Sequence, residues 1–252
     1  MSRILFGSDI DGTLLNKGNL PKQNVEAINR FRSKGNKFCV VTGRDLGMIP
    51  KEITDLCDYF VTINGAAVFD GQRNPIYLQP FSKEKYQKIH NIVYPSDTQK
   101  LWIHSDTCYY EELRDGSKNT TPKSIYANYV SYEEIFKHDI YQISFDYEQS
   151  RIDYFEPIFQ SLRDLGGATV YVSKGGCDVM PSNCSKAKGL KILQDTFNFD
   201  LAYAIGDGGN DIEMIEQFKS FAMETGEQRV KEKATYIVSS VAQAIEQIEN
   251  DL

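Results

Sequence analysis

The sequence is poor in the features that mark secreted, disulfide-bonded or zinc-stabilised proteins. Its five cysteines are an odd number, are scattered along the chain without a CxxC pair, and are accompanied by only three histidines. We therefore expect neither a disulfide framework nor a structural zinc site, because both need paired or closely spaced ligands. The apolar run at the N-terminus is broken at Gly7, before the core of a signal peptide could form.

The chain also lacks a long apolar stretch and a surplus of positive charge. No stretch approaches the ~20 apolar residues that a membrane span requires. Acidic residues outnumber basic residues by 35 to 28, which gives a formal net charge of −7. Such a chain has little with which to neutralise a nucleic-acid backbone. We therefore expect a cytoplasmic protein without a membrane or nucleic-acid partner.

What the chain does contain is enough apolar material for one large domain or two modest ones, with 41% hydrophobic residues among 252. Short apolar runs at residues 3–8, 37–42 and 59–63 alternate with helix-like segments at residues 21–35 and 45–56. The same alternation returns in the last quarter of the chain. Apolar strands separated by helices predict an α/β fold with a doubly wound, parallel, Rossmann-like sheet.

The middle of the chain has a different character. A helix-like stretch at residues 83–93 precedes a predicted hairpin, and a strand, a helix and two more strands are predicted between residues 139 and 180. This pattern indicates an α+β domain inserted into the α/β fold. We predict a core of residues 1–80 and 181–252 and an inserted cap of residues 81–180.

Polar clusters follow four of the predicted core strands. They are Asp9-Ile10-Asp11-Gly12-Thr13, Thr42-Gly43-Arg44, Asn64-Gly65-Ala66 and Gly206-Asp207-Gly208-Gly209-Asn210-Asp211. In an open α/β sheet, ligands bind outside the carboxyl ends of the strands. We therefore expect the four clusters to lie at one edge of the sheet.

The first and last clusters are acidic. Asp9 and Asp11 start from the same face of an extended chain, and we expect Asp207 and Asp211 to join them from another strand. Carboxylates held this close repel one another unless a cation lies between them. Mg²⁺ fits best, since it prefers a few carboxylates together with water and phosphate oxygens.

The other polar residues suit an anion such as phosphate. The candidates are the Thr42 hydroxyl, the backbone N–H groups near Gly43, the Asn210 amide and the ammonium of Lys186 or Lys188. Each cluster alone is equally typical of a turn or a solvated surface. Their occurrence at four strand ends is what favours a functional site.

The first, second and last of these clusters, with the Ser185-Lys186 pair between the second and the last, resemble the motifs of the haloacid dehalogenase superfamily, and within it of the Cof-like phosphatases, which carry a large α/β cap. The resemblance implies that Asp9 is a nucleophile that forms an aspartyl-phosphate, and that Asp11 is the general acid and base. It implies that Asp9, the backbone carbonyl of Asp11 and Asp207 hold Mg²⁺, with Asp211 in support. The residues expected to bind the phosphate or the substrate are Ile10, Gly12, Thr42, Gly43, Arg44, Lys186 and Asn210.

The sequence thus predicts a Mg²⁺-dependent phosphatase that acts on a small phosphorylated metabolite, with a sugar phosphate as one candidate. Two alternatives stay open, a phosphomutase and a phosphosugar-binding module without catalysis. The presence of both Asp9 and Asp11 argues against the binding module, since binding needs no proton-transferring acid. We expect the cap to set specificity, with the turn at residues 175–178 as the leading candidate. The physiological substrate and the oligomeric state are left open.

Overall fold

The computed structural model of the chain describes residues 3–105, 108–113 and 128–251. The strands are β1 (Ile4–Ser8), β2 (Lys37–Val41), β3 (Tyr59–Thr62), β4 (Ala67–Asp70), β5 (Pro75–Leu78), β6 (Lys100–His104), β7 (Cys108–Leu113), β8 (Asn128–Tyr129), β9 (Gln142–Asp146), β10 (Ala168–Ser173), β11 (Gly176–Pro181), β12 (Leu201–Gly206), β13 (Lys219–Met223) and β14 (Tyr236–Val238). The α-helices are α1 (Lys22–Ser33), α2 (Lys51–Thr54), α3 (Lys83–Val93), α4 (Tyr132–Ile135), α5 (Ile152–Asp164), α6 (Lys186–Phe197), α7 (Ile212–Gln217), α8 (Gln228–Lys231) and α9 (Val241–Asn250).

Serine side chains fix the starts of four helices. The hydroxyls of Ser82, Ser131, Ser185 and Ser240 each accept a hydrogen bond from a backbone N–H in the first turn of the helix that follows. Such caps satisfy N–H groups that have no partner inside the helix. Among the helices that the structure describes, none is both long and apolar enough to cross a lipid bilayer.

Packing divides the chain into two compact units. The first runs up to Gly43 and continues with Pro50–Tyr77 and with the chain from Ser185 onward. The second comprises Arg44–Ile49 and Leu78–Cys184. Residues 44–49 therefore group with the inserted unit, although we had placed them in the first core segment.

The first unit contains an eight-stranded sheet in the order β14-β13-β12-β1-β2-β3-β4-β5. The pairs from β14 through β3 are parallel, whereas β4 pairs antiparallel with β3. The α/β class with a Rossmann-like sheet is confirmed. Our prediction of a wholly parallel sheet was incomplete at this edge, because β4 returns beside β3 after a turn of only a few residues, which is too short for a parallel crossover.

Helices cover both faces of the first sheet. Successive residues of a strand point to opposite faces, and in β1 the buried Leu5 packs in one apolar cluster with Leu190 of α6. The next residue, Phe6, packs edge-on against Phe31 of α1 and against Phe38 and Phe221 of the neighbouring strands. The strand that leads to Asp9 is therefore buried on both faces.

The second unit contains a six-stranded sheet in the order β10-β11-β9-β6-β7-β8. Its pairs are antiparallel except for β7 and β8. An apolar cluster joins one face of this sheet to α3 and α5, through residues such as Ile89, Phe155 and Phe159. The second unit thus has its own hydrophobic core.

Residues 45–56 do not form the single helix that we predicted. A 3-10 turn at Leu46–Met48 is followed by the short helix α2, with Pro50 between them. Proline has no N–H to continue a helix, but it suits the position just before a helix begins. The predicted helical pattern is therefore interrupted at Pro50.

Candidate functional site

The carboxyl ends of β12, β1, β2 and β3 lie side by side, because these strands are consecutive neighbours in the first sheet. From β1 the chain continues to β2 on one side, while β12 pairs with β1 on the other side. Such a change of direction is where open α/β sheets bind ligands. Asp9 follows β1 at this point and Asp207 follows β12.

A buried ion-pair network joins Lys186 to Asp9 and Asp211. Lys186 is the first residue of α6 and is only 1% exposed. Its Nζ donates to Oδ1 of Asp9 and to Oδ1 of Asp211, both at 2.7 Å. The start of α6 is held by close packing at Gly65, which has a φ of +90° and where a Cβ would lie 2.0 Å from the Ser185 carbonyl oxygen. Only glycine fits there. The turn at Gly65 therefore packs directly against Ser185, the residue before Lys186.

Backbone amides and a hydroxyl hold the other carboxylate oxygens. Oδ2 of Asp211 accepts hydrogen bonds from the N–H groups of Asp207 and Gly208, each at 2.9 Å. The Thr13 hydroxyl donates to Oδ1 of Asp207 at 3.1 Å. Gly12 lies against the same carboxylate, since a Cβ there would be 2.3 Å from its Oδ2. These contacts orient the carboxylates without neutralising them.

The electrostatics of the cluster are those of crowded, buried acids. Burial is the largest cause that raises the pKa of Asp9 to about 7; Lys186 opposes this shift, and Asp211 and Asp207 contribute to it. Burial, helped by Asp211, also raises the pKa of Asp207. Burial alone would lower the pKa of Lys186, but the two acids that it contacts outweigh this and raise its pKa above the usual range. Lys186 is therefore fully protonated and still leaves negative charge in excess.

The donor set fits a hard divalent cation. Asp9, Asp207 and Asp211 each offer a carboxylate oxygen, and these oxygens lie within 4.8 Å of one another. Carboxylate oxygens are the ligands that Mg²⁺ prefers. The side chain of Asp11, which we had expected as a fourth acid, is exposed and is not part of this group. A contribution of Asp11 through its backbone carbonyl stays a prediction.

A strained turn follows β3. Ile63, Asn64 and Gly65 have φ values of 50°, 47° and 90°. Positive φ is uncommon for a residue with a branched side chain such as isoleucine. The turn buries Asn64, whose Oδ1 accepts a hydrogen bond from Nδ2 of Asn210 at 3.1 Å. Gly43 approaches from the end of β2, since a Cβ there would lie 3.1 Å from Nδ2 of Asn64.

The structure separates the two candidate lysines. Lys186 contacts Asp9, whereas Nζ of Lys188 donates to the hydroxyl of Tyr77 at 2.9 Å and lies over its ring. Of the two, Lys186 is the one that lies among the acids. Lys186 is the first residue of helix α6, and the N-cap residue of that helix, Ser185, directly precedes it.

The remaining predicted residues lie in different surroundings. Thr42 is buried at the end of β2, where its carbonyl accepts from the N–H of Asn64. Ile10 is buried, and its carbonyl accepts from the N–H of Leu15. Arg44 donates to the carbonyl of Met48 and belongs by packing to the second unit. Binding of phosphate or substrate by these residues stays a prediction.

Two residues of the site received no role from the sequence. Thr13 belongs to the first cluster, and its position four residues after Asp9 gave no sign that it would bind Asp207. Asn64 was noted only as part of an Asn-Gly turn, a very common pattern. The contact between Asn64 and Asn210 joins residues that are far apart in the chain, so no local pattern could have revealed it.

Comparisons with known proteins agree with this geometry. The sequence profile of the haloacid dehalogenase-like hydrolases matches residues 6–245. The Mycoplasma genitalium protein MG265 is 26% identical over 94% of this chain and 92% of its own length. The Escherichia coli protein YbjI, named 5-amino-6-(5-phospho-D-ribitylamino)uracil phosphatase, is 26% identical over 95% of this chain and 92% of its own. The solved structure of the sugar phosphatase BT4131 matches with a TM-score of 0.79 at 22% identity, and covers 98% of this chain and 99% of that one. At that identity the structural match shows a shared fold.

Proposed function

Because this chain belongs to the haloacid dehalogenase-like hydrolases and is a phosphatase like its relatives, we propose that it hydrolyses small phosphorylated metabolites with Mg²⁺ through a phosphorylated Asp9. The family resemblance that the sequence motifs indicate is confirmed. The observation that carries the proposal is the buried network of Asp9, Lys186 and Asp211 at the switch point of the sheet.

Asp9 is the proposed nucleophile. Its carboxylate lies at the end of β1, is nearly buried, and is held by Lys186 through one oxygen. The bond that forms joins a carboxylate oxygen of Asp9 to phosphorus, and the bond that breaks joins phosphorus to the alcohol oxygen. Water then hydrolyses the aspartyl-phosphate and releases inorganic phosphate.

Asp9, Asp207 and Asp211 would hold Mg²⁺, which when bound supplies positive charge that reduces the repulsion between Asp9 and the phosphate dianion. Lys186 adds an ammonium at the same carboxylate. The Thr42 hydroxyl and the Asn210 amide are the proposed donors to the transferring phosphoryl group. Donors fixed in advance of the reaction stabilise charge that develops in the transition state.

Asp11 is the proposed general acid and base. Its exposed side chain suits a group that must exchange protons with the leaving alcohol and with water. In the first step it protonates the alcohol oxygen, and in the second it removes a proton from the attacking water. Asp9 and Asp11 thus have different jobs although they are two residues apart.

The substrate class is a small phosphate monoester, with a sugar phosphate or a related polyol phosphate as the favoured kind. The name of the Escherichia coli relative contains a phosphorylated ribityl group, and the matched protein BT4131 is described as a sugar phosphatase. We propose that residues 81–180 act as the cap that selects among such substrates, since the residues of the first unit address only the phosphate.

The experiment is a screen of phosphorylated metabolites for release of inorganic phosphate, with Mg²⁺ and with excess chelator. We expect activity that depends strictly on Mg²⁺, and inhibition by Ca²⁺, whose looser coordination misplaces Asp9 relative to phosphorus. Full turnover in excess chelator would contradict the metal proposal. A phosphorylated product that accumulates without free phosphate would identify a phosphomutase instead.

A further inference from the structure

The turn at residues 63–65, which follows β3, contacts three of the elements that carry the proposed phosphate-binding residues. The N–H of Asn64 donates to the carbonyl of Thr42, at the end of β2, at 2.9 Å. Its side-chain Oδ1 accepts from Nδ2 of Asn210, which follows β12, at 3.1 Å. The glycine of the turn lies against the carbonyl of Ser185, the N-cap residue of α6. All of these residues belong to the first unit.

The backbone of this turn is strained. Ile63 and Asn64 both have positive φ, which costs free energy for residues other than glycine, and most for a β-branched residue such as isoleucine. A strained conformation persists only where the contacts around it hold it in place. Glycine would adopt the same backbone without strain. The turn itself therefore does not require the Asn64 side chain, and that side chain calls for a separate explanation.

The side chain of Asn64 is enclosed and has a fixed direction. The residue is 0% exposed, so a ligand in the solvent cannot reach it. Gly43 packs against its amide, because a Cβ at that glycine would lie 3.1 Å from Nδ2 and 3.3 Å from Oδ1. Oδ1 of Asn64 is therefore a fixed acceptor that faces Asn210, and it is not itself a contact for the phosphate.

Asn210 is more exposed than its partner. It lies in the 3-10 turn Gly209–Asp211 and is half-buried. Nδ2 of an asparagine carries two hydrogens, and the contact with Asn64 uses one of them. That contact fixes the plane of the Asn210 amide and hence the direction of the second hydrogen. A freely rotating amide would present its oxygen to the phosphate for part of the time, and that oxygen would repel the anion.

We infer that Asn64 is a positioning residue for phosphate binding, and that it acts by holding the amide of Asn210 with an N–H directed at the phosphoryl group. The inference rests on the proposed function, in which Asn210 is a donor to that group. A donor whose direction is fixed before the substrate arrives costs no reorganisation during the reaction. The strain of the turn is part of this arrangement, since the turn brings the buried Asn64 within hydrogen-bond distance of both Thr42 and Asn210.

The test removes the Asn64 side chain without disturbing its backbone. Asn64→Gly is suited to this, because glycine adopts the positive φ of the position without strain. The measurement is the Ki of inorganic phosphate as an inhibitor of p-nitrophenyl phosphate hydrolysis with Mg²⁺ present. We expect Ki to rise by about tenfold, the effect of losing one well-directed hydrogen bond to a charged group. The thermal shift that phosphate causes is a second readout, without catalysis, and should shrink in the variant. Asn64→Ala, which keeps a Cβ, is the second variant and should raise Ki similarly.

Asn198→Gly is the matched control. Asn198 also has a positive φ, of 52°, and it directly follows the last residue of α6, whereas Lys186 is the first residue of that helix. The control therefore combines the same substitution and the same backbone conformation with a position at the other end of the helix. Ki should stay at the wild-type value. A rise like that of Asn64→Gly would show a general consequence of the substitution and would overturn the inference.

A double-variant cycle with Asn210→Ala tests whether Asn64 acts through Asn210. In the Asn210→Ala background, Asn64→Gly should change Ki by less than about twofold, because the amide that it positions is gone. The same tenfold rise in both backgrounds, or an unchanged Ki in Asn64→Gly alone, would contradict the inference. Absence of p-nitrophenyl phosphate hydrolysis and of any phosphate-induced thermal shift in wild type would instead count against the proposed function. The two failures are therefore distinguishable.

Discussion

The two sheets of this molecule carry their polar residues in different places. In the first sheet, Asp9, Thr42, Asn64 and Asp207 come one or two residues after parallel strands and lie at the carboxyl ends of those strands. In the second sheet, Glu111, Ser144 and Asp178 lie inside antiparallel strands and occupy one face. A parallel sheet gathers strand ends, whereas an antiparallel sheet exposes alternate residues.

The buried acids of the two sheets also differ in their partners. Asp9 and Asp211 share the ammonium of Lys186, and backbone amides bind Asp211. Glu111 has no such donor among the described residues. An acid held by fixed donors suits chemistry that is the same for every substrate, whereas the proposed cap would act on the part that differs between substrates. We therefore expect substitutions at the strand ends of the first sheet to affect all substrates equally and substitutions on the face of the second sheet to affect them unequally.

The largest effect expected among the following variants is that of Asp11→Asn. Without its proton-transferring acid, hydrolysis of the phosphorylated intermediate should slow by roughly 10²–10⁴, the usual contribution of general acid–base catalysis. Steady-state kinetics should show a similar loss for the phosphate esters of ordinary alcohols, whereas the first step should stay possible for p-nitrophenyl phosphate, whose leaving group needs no proton. Because Asp11 is exposed, the Tm should hardly change. A loss confined to one such ester would contradict the expectation that substitutions at the strand ends of the first sheet affect all substrates equally.

Lys186→Met should be nearly as damaging and should also lower stability. Removing the ammonium leaves Asp9 and Asp211 buried without their cation, and breaking such a pair costs about 3–5 kcal/mol of unfolding free energy. Loss of a preorganised donor should reduce kcat by about 10²–10³. Denaturant unfolding and kinetics measure the two effects. Lys188→Met, two residues along, is the control, and equal losses in both variants would contradict the assignment of Lys186.

Asp178→Ala tests the face with a smaller effect. Asp178 accepts hydrogen bonds from Ser144 and Gln142, so its loss should disturb the orientation of Gln142. We expect kcat/KM to fall by about tenfold for hydroxyl-rich phosphates and by less for p-nitrophenyl phosphate. The ratio between the two substrates is the readout. A uniform loss would assign Asp178 to the fold or to the chemistry.

Asp58 lies at the amino end of a strand of the first sheet, whereas the acid cluster lies at the carboxyl ends. Its substitution should affect stability alone. Asp58 precedes β3 and accepts hydrogen bonds from Arg32, Lys37 and the N–H of Phe38. Burial alone would raise its pKa, but these donors outweigh burial and lower the pKa below its usual range. We expect Asp58→Asn to lose about 1–3 kcal/mol of unfolding free energy at neutral pH without a change in kcat.

The pH dependence of this loss follows from the direction of the pKa shift. A carboxyl group with a lowered folded-state pKa stabilises the fold above its unfolded pKa of about 3.9 and loses that contribution as the pH falls through the folded value. The difference in Tm between wild type and Asp58→Asn should therefore be full near pH 7 and vanish in strong acid. A difference that stays constant down to strong acid would show that the charge of Asp58 does not matter.

The sequence predicted the residues at the carboxyl ends of the first sheet's strands much better than the residues on the polar face of the second sheet. Asp9, Asp207 and Asp211 stand in short contiguous clusters after apolar runs, and parallel topology alone brings them together. Which of Lys186 and Lys188 lies in the site could not be decided, because it depends on where α6 begins. The side chain of Asp11 was expected beside that of Asp9, but the chain turns at Gly12 and the extended geometry ends.

The polar face of the second sheet has no comparable signature. Glu111 and Gln142 are polar residues inside strands, a pattern typical of any half-exposed strand. Their burial depends on strand pairing between distant segments, which the sequence does not encode locally. The strand that contains Asp178 was predicted as residues 177–180. Which strand pairs with it could not be predicted.

The central claim is that Asp9 is the phosphorylated residue. The direct measurement incubates Asp11→Asn with p-nitrophenyl phosphate and Mg²⁺. The leaving group of this substrate needs no proton, so the first step should proceed and the intermediate should accumulate. Acid quench and mass spectrometry of the peptide of residues 4–17 follow. In that variant Asp9 is the only side-chain carboxylate left in the peptide. We predict one added phosphoryl group that hydroxylamine removes, and its absence when Asp9→Asn is combined with Asp11→Asn. A phosphoryl group that persists in the double variant, or that resists hydroxylamine, would contradict the assignment of Asp9.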